Sequence, residues 1–595
     1  MRSFLRRLRA VLSLAFRANP GLAALALTLG IVSAIAGPIS AAALGSLVDA
    51  AAAGDTSSAS VAAIVLSLTW VASHAAGHAA AHVAFALNMH IIRLSYSELI
   101  GISGRSPTIE LHERPEVADR VELVRKDIKM LAFAMLSFVW AVGIVTQLAT
   151  TLVILVSIHL SLVVLPLLGI PSLVAGVRAQ RLRQGAREAT LEDQRLSDHL
   201  FGLGTTSGPG KEVRIFGLAD EIADRHGSVR RSIQLKERRA EMRALGGTVL
   251  GWLAYAVGYA GAVVLVSILA VDGRASVGDV ILVISLAGQI QFQLGGAVQL
   301  VGDFIRNLRT ADHYLWLRDH ADRAVARRRQ SGPPPEVLAE GIRFEDVSFH
   351  YPGTDVDVLR DIDLAMPAGS AVAIVGVNGA GKTTLAKLLA GFYEPTEGRI
   401  TVDRVDLRDL DLDAWRARMS ACFQDFVHFE FLARESTGVG DLPRIDDERS
   451  VSEALARAKA SDVVDGLPDG LGTLLGKGYD DGVELSTGQW QKVALGRAMM
   501  REDPLLLILD EPTASLDAYT EHALFERYAH ASERAGREIG AITVLISHRF
   551  STVRMADLVV VLEDGRIVQS GTHAELERDK GAYRELYELQ SRAYR

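Results

Sequence analysis

Six stretches in the first half of the chain are apolar and nearly free of charge: residues 20–43, 60–89, 130–158, 160–177, 245–271 and 277–302. A helix needs roughly 20 apolar residues to cross a hydrocarbon core, and these runs meet or approach that length. Within lipid every backbone N–H and C=O must find a partner inside the segment, so the stretches are expected to be helices. The third and fourth are separated by little more than His159. Ahead of the first, Arg2, Arg6, Arg7 and Arg9 precede a short apolar run from Val11 to Phe16. A signal peptide has a similar outline, but Arg17, Asn19 and Pro20 interrupt this one. The pattern favours a basic amphipathic helix lying on the membrane surface.

The polar connections set an orientation. Those before Ser60 and around His159 carry no Lys or Arg, and the one after Val271 carries only Arg274. The connection 90–129 holds Arg93, Arg105, Arg114, Arg120, Arg125, Lys126 and Lys129, and 178–243 is richer still in Arg. Positive charge stays cytoplasmic, so both termini and both long connections are expected inside a bacterial inner (plasma) membrane. These connections are too long for turns. They imply membrane helices that continue into the cytoplasm, with tips near 112–120 and 207–218, where Pro115, Gly208, Pro209 and Gly210 break the pattern. Transmission of motion to another domain is the reading they favour over a solvated helix pair.

A different grammar follows. Arg327-Arg328-Arg329 and Ser331-Gly332-Pro333-Pro334-Pro335 form a stiff polar linker. From about Gly341, short β-branched runs alternate with helical stretches, as in an α/β domain. The expected organisation is a membrane domain over 1–325, a linker over 326–340 and a nucleotide-binding domain over 341–595.

Composition agrees. The chain of 595 residues exceeds one hydrophobic core, and 49% hydrophobic residues with only 6% aromatic and 23% charged suggest a membrane portion. A net charge of -8 argues against wholesale nucleic-acid binding, so no nucleic-acid partner is expected. The single cysteine, Cys422, excludes an intrachain disulfide and a multi-thiolate metal site.

The chemistry concentrates in the second half. Ala371-Val372-Ala373-Ile374-Val375 reads as a buried strand, running into Gly376-Val377-Asn378-Gly379-Ala380-Gly381-Lys382-Thr383-Thr384 and then a helix. This is the G-x-x-x-x-G-K-[ST] phosphate loop in its required strand–loop–helix setting. Gly376, Asn378, Gly379 and Gly381 let backbone N–H groups approach phosphates, and the helix start adds partial positive charge. Lys382 is assigned to the β and γ phosphates of ATP, Thr383 to Mg²⁺, and Thr384 to the same cradle. A second buried strand, Leu505–Leu509, ends in Asp510-Glu511. An acid at a strand's C-terminal end faces the ligand crevice. Asp510 is therefore expected in the Mg²⁺ shell, and Glu511 at the attacking water.

Beyond the loop, Leu485-Ser486-Thr487-Gly488-Gln489 resembles the LSGGQ signature of ABC transporters, in its place before the Asp510-Glu511 strand. Other residues fall in that family's order. Tyr351 resembles the aromatic that stacks on adenine, and Gln424 the Q-loop glutamine, which senses the γ-phosphate and joins the Mg²⁺ shell. Ser515-Leu516-Asp517 resembles the D-loop, and His548 the switch histidine on the γ-phosphate. The resemblance implies an exporter-type half-transporter: an all-α polytopic membrane domain of about six helices with long cytoplasmic extensions, then an α/β P-loop NTPase domain of ABC type. It also implies a second half-transporter as partner, a homodimer being favoured and a heterodimer open. Ser486, Thr487, Gly488 and Gln489 of one copy would then complete the ATP site of the other. Thr487 stands where the family has a second glycine, and Lys477 where its exporters often carry a glutamate.

The expected function is ATP-driven export of an amphipathic or hydrophobic substrate by alternating access. Phe423-Gln424-Asp425-Phe426, Gly488–Lys492 and Lys211–Leu218 resemble a bacterial subgroup of lantibiotic and other peptide exporters, which favours a peptide. Multidrug export and lipid flipping remain alternatives, as does a membrane-anchored ATPase that senses or gates without moving substrate. His74, His78 and His82 recur on one helix face, and packing between alanine-rich helices is preferred over metal binding or proton coupling. Gln289, Gln293 and Gln299 form a polar stripe that either lines a cavity or joins helices by hydrogen bonds.

Overall fold

The computed structural model describes residues 2–105, 108–109, 113–327, 332–512, 536–547, 549 and 553–593. The chain divides into two compact units: Met1–Gly101 with Glu122–Leu317, and Ile102–Val121 with Arg318–Arg595.

The first unit is helical. α1 (Arg2–Ala18) precedes α2 (Pro20–Ala52), whose start is fixed by Pro20 in the first turn and by Asn19, which accepts from the Leu22 N–H at 3.0 Å. α3 (Thr56–Arg105), α4 (Pro115–Ile158), α5 (Ile170–Glu188), α6 (Leu191–Thr205), α7 (Ala219–Val271) and α8 (Val277–Arg327) follow. With 50 residues in α3 and 53 in α7, these helices far outrun a bilayer. At 1.5 Å per residue each is roughly 75–80 Å long, against about 30 Å of hydrocarbon. Among the described residues the long connections are thus largely helical extensions, as their length implied. α5 and α6 pack against α7. Arg183 grips Glu241 with two bonds of 2.6 and 2.7 Å, and Lys236 meets Asp193 at 2.7 Å. At the opposite end, Asp49 of α2 accepts from the Gly278 N–H and the Ser276 hydroxyl, both at 2.6 Å, and so caps the start of α8. A carboxylate there also meets the positive end of the helix dipole.

Among the described residues five helices are long and apolar enough to cross a membrane. The fourth expected stretch, 160–177, is not one continuous helix. It begins as a 3₁₀ turn at Leu160–Val163, passes through one short turn at Val164–Leu167, and joins α5 only at Ile170. Pro166 and Pro171 lack the N–H that a continuous helix needs. His159, read as a bare connection, caps the 3₁₀ turn through the Ser161 N–H.

The second unit holds two sheets. β1 (Gly341–His350), β2 (Asp357–Pro367), β4 (Glu397–Val402) and β5 (Val405–Asp406) form an antiparallel sheet in the order β2-β1-β4-β5. β3 (Ala371–Val375), β6 (Met419–Cys422), β7 (Leu506–Asp510), β8 (Ile542–Ile546), β9 (Leu558–Glu563) and β10 (Arg566–Gly571) form the other, ordered β10-β9-β3-β8-β7-β6. It is parallel from β9 to β6, and β10 pairs antiparallel at the edge. Strands buried on both faces read as unbroken apolar runs, and Val372, Ile374, Ile508, Val544 and Val560 are fully buried. β3 and β7, separated only by β8, deliver both nucleotide motifs to the same end of this sheet.

Candidate functional site

β3 delivers the chain into the phosphate loop, and the loop turns through glycines in left-handed backbone: Gly379 at φ +84° and Gly381 at φ +103°. Gly381 is the residue from which α9 (Lys382–Leu389) starts. Its left-handed backbone disfavours any side chain, and a Cβ would lie 2.7 Å from Leu359 Cδ2. Lys382 folds back over the loop and donates to the carbonyls of Gly376 and Val377 at 2.8 and 3.0 Å. Burial lowers its pKa, opposed by the charges of Glu511 and Asp510. The ammonium is thus parked on backbone oxygens at the wall of the cavity.

β7 supplies the acids. Successive side chains of a strand point to opposite faces, so Asp510 and Glu511 would part if β7 continued. It does not: Glu511 sits at φ +47°, a left-handed conformation that costs a non-glycine residue about 1–3 kcal/mol. Two bonds hold it there. Its N–H donates to Ile546 O at 2.9 Å, and its carbonyl accepts from Gln491 Nε2 at 3.2 Å. Asp510 Oδ2 accepts from Thr383 Oγ1 at 2.9 Å, and Glu511 Oε2 accepts from Gln424 Nε2 at 2.9 Å. A cavity of about 430 Å³ results, walled by Asn378, Gly379, Gly381, Lys382, Thr383, Thr384, Gln424 and Glu511, with Val358 at its edge.

Asp510 is 1% exposed, and its Oδ1 has no partner among the described residues. Burial, against the Thr383 hydrogen bond and with the Glu511 charge, pushes its pKa up to about 6. A buried carboxylate oxygen beside a threonine hydroxyl and an amide is a hard-oxygen donor set that fits Mg²⁺. Tyr351 approaches the same helix: its hydroxyl lies 3.0 Å from Thr384 Oγ1, and its ring stands edge-on to Tyr393 at 5.4 Å.

The signature residues lie elsewhere. Ser486 caps α10 (Thr487–Ala498) through a reciprocal pair with Gln489: Ser486 N–H to Oε1 at 2.8 Å, and Gln489 N–H to Oγ at 3.3 Å. Ser486 and Thr487 are exposed, and none of Ser486–Gln489 lines the cavity. The side chain of Gln489 is thus engaged in its own helix cap. α10 is clamped to the segment after Gln424: His428 stacks on Trp490 at 4.6 Å, and Arg497 donates to Val427 O at 3.2 Å and Ser436 O at 3.0 Å. Ser515, Asp517, His548 and His112 fall outside the described residues. Lys477 is exposed.

Two residues escaped the sequence. Gln491 was legible only as the second residue past the signature, yet it fixes the backbone of Glu511. Glu113, in the tip of the first long connection, pairs with Lys387 of α9 at 3.2 Å within the second unit. The histidine face also differs from expectation. His74, His78 and His82 are exposed rather than packed between helices, and His74 stacks on Trp70 at 4.2 Å. The face of α3 that packs is the opposite one, carrying Ala76, Ala80, Ala84 and Leu87. Among the described residues no group of three or more His, Cys, Asp or Glu is placed to hold a metal.

Residues 359–514 match the family model described as ABC transporter. The chain is 31% identical to the ATP-dependent lipid A-core flippase of Alcanivorax borkumensis over 430 residues, covering 72% of this chain and 71% of that protein. It is 28% identical to the subtilin transport ATP-binding protein SpaT of Bacillus subtilis over 490 residues, covering 80% and 77%. The fold is similar to that of a bacterial Atm1-family ABC exporter with ATP bound, with a TM-score of 0.75 and 25% identity over 96% of this chain and 98% of that one.

Proposed function

The chain belongs to the ABC transporter family as an ATPase coupled to export, its membrane and nucleotide-binding parts fused, and from that premise we propose that two copies together move an amphipathic peptide out of the cytoplasm. The observation that carries the two-copy reading is the separation within one chain. The phosphate loop, Asp510 and Glu511 build one cavity, while Ser486 and Thr487 stand exposed and, with half-buried Gly488, take no part in lining it. Applied to the γ-phosphate of a second copy, that helix start completes a site.

ATP seats its phosphates on the loop N–H groups and draws Lys382 from its two carbonyls. Tyr351 is the adenine platform. Thr383, Asp510 and the free oxygen of Gln424 are the groups that would hold Mg²⁺, which supplies charge screening for the β and γ phosphates. Glu511, aimed by Gln424 and Gln491, orients a water towards the γ-phosphorus. Its attack breaks the bond to the β–γ bridging oxygen and releases ADP and phosphate. Ser515, Asp517 and His548 are assigned to the same dimer site by the family motif. ATP favours the closed, outward-facing pair and hydrolysis resets it, each state selected by its differential affinity. The membrane is the bacterial inner membrane, with both termini and the ATPase on the cytoplasmic side, as the Arg-rich connections support.

A peptide is favoured because a subtilin transport protein is among the relatives and the chain shares the peptide-exporter motifs noted above. The lipid A-core flippases favour lipid movement as the second reading. The deciding measurement is ATP hydrolysis by the chain purified alone into lipid nanodiscs, titrated with amphipathic peptides, small hydrophobic cations and lipid A. Stimulation by peptides alone is expected. Silence throughout would require a different partner subunit.

A further inference from the structure

Four membrane helices meet around Gly37, midway along α2. A Cβ built there would lie 3.4 Å from Gln147 Nε2 on α4, 3.5 Å from Ser73 Oγ on α3 and 3.8 Å from Gln289 Oε1 on α8. Glycine at this position therefore leaves polar side chains of three other helices facing one another. Ser33 and Ser73 are satisfied, each hydroxyl donating to the other's carbonyl at 2.8 and 3.2 Å. The glutamines are not. Gln289 donates to Gly37 O at 3.3 Å, but its Oε1 has no partner among the described residues. One turn further along α8, Gln293 is 2% exposed and neither of its amide atoms has one.

An amide sealed away from water without a partner is unfavourable, and hydrocarbon around the bundle offers no relief. Helix–helix bonding, one of the two roles open to this stripe, accounts for one atom of Gln289 and none of Gln293. What remains is matched to something absent from the bundle itself. Its chemistry is constrained by charge: residues 20–48, 60–89, 130–158, 245–271 and 280–302 contain no Lys, Arg, Asp or Glu. The cluster has no carboxylate to pair an organic cation and no Lys or Arg to hold a phosphate. It offers neutral donors and acceptors side by side, the complement of a peptide unit with its one N–H and one C=O.

We propose that Gln289 and Gln293, with Gln147 and Ser73, form the part of the translocation path that binds the backbone amides of a peptide substrate, sealed in this state and opened in another. This rests on the exporter reading above and narrows its substrate to neutral amide-bearing chains. A polar site hidden in one conformation and uncovered in a second is what coupling by differential affinity requires.

The test uses the full chain in nanodiscs with three probes: a hydrophobic cyclic peptide with free amide N–H groups, its fully N-methylated counterpart, and tetraphenylphosphonium. The readouts are the concentration giving half-maximal ATPase stimulation and the thermal midpoint. For the wild type, the free-amide peptide is expected to act at about tenfold lower concentration than the N-methylated one. Gln293→Met and Gln289→Met are each expected to erase that preference. The thermal midpoint of Gln293→Met should hold or rise, because an unpartnered buried amide has gone. A purely structural glutamine would instead lower the midpoint and keep the preference, and that result overturns the site. If the wild type discriminates between the peptides and both variants do so equally, the site is wrong and the peptide-exporter reading stands. If the wild type responds to tetraphenylphosphonium and to neither peptide, both fail.

Discussion

The amide of Gln424 donates to Glu511 Oε2 across 2.9 Å, joining residues 87 positions apart. The residue assigned to sense the γ-phosphate is therefore also one of those that aim the carboxylate at it. Glu511 carries a strained backbone and has its N–H, carbonyl and side chain each engaged by a different segment. Such investment in one acid fits electrostatic preorganisation of the attacking water.

Glu511→Gln keeps an oxygen for Gln424 but loses the charge that polarises water. Hydrolysis should fall by about 10²-fold or more, while ATP binding is retained. Turnover and nucleotide affinity measured together in nanodiscs check this. Wild-type turnover would remove Glu511 from its assigned role.

Lys382→Ala removes the cation that the loop holds on the Gly376 and Val377 carbonyls. ATP affinity itself should weaken by about tenfold or more, since a charge-assisted bond to phosphate is lost. Equilibrium binding of a fluorescent ATP analogue reads this directly, and unchanged affinity would refute the phosphate-loop assignment.

Gln491 touches the backbone of Glu511 rather than its carboxylate. Gln491→Leu should lower kcat by roughly 3–10-fold, since small misplacements of a catalytic group are costly. ATP affinity should change little. A matched loss of affinity in a binding titration would instead show general damage to the fold.

Asp49→Ala uncaps α8 at the Gly278 N–H and the Ser276 hydroxyl. Loss of such a cap costs about 0.5–2 kcal/mol, so the thermal midpoint in detergent should drop. Asp49→Asn, which retains an acceptor, should recover part of it.

The phosphate loop was legible because its chemistry is local: strand, glycines, Lys382 and helix are contiguous, and the backbone conformation follows from residue type. The two acids were equally plain at the end of an apolar run. Gln491 was not, because a buried glutamine on a helix announces no partner until the neighbouring strand end is in place. The break in the stretch 160–177 was hidden for another reason. Hydropathy weighs side chains, whereas Pro166 and Pro171 act by withholding backbone donors. The histidine face misled because the spacing of His74, His78 and His82 puts them together on a helix but does not say which side of α3 is packed. Small residues at Ala76, Ala80 and Ala84 decided that, on the opposite face.

α7 runs through 53 residues without a proline, from its hairpin with α6 to the turn before α8. A rod of that kind has no slack. Pivoting by about 5° at its membrane portion would carry a point some 40 Å further along it sideways by roughly 3.5 Å, with no bond in the helix broken. A push at the Ala219 end of α7 can therefore reach its apolar end near Val271 as tilt, without storage in the helix. Any delay between the two must arise in the turns that join one rod to the next.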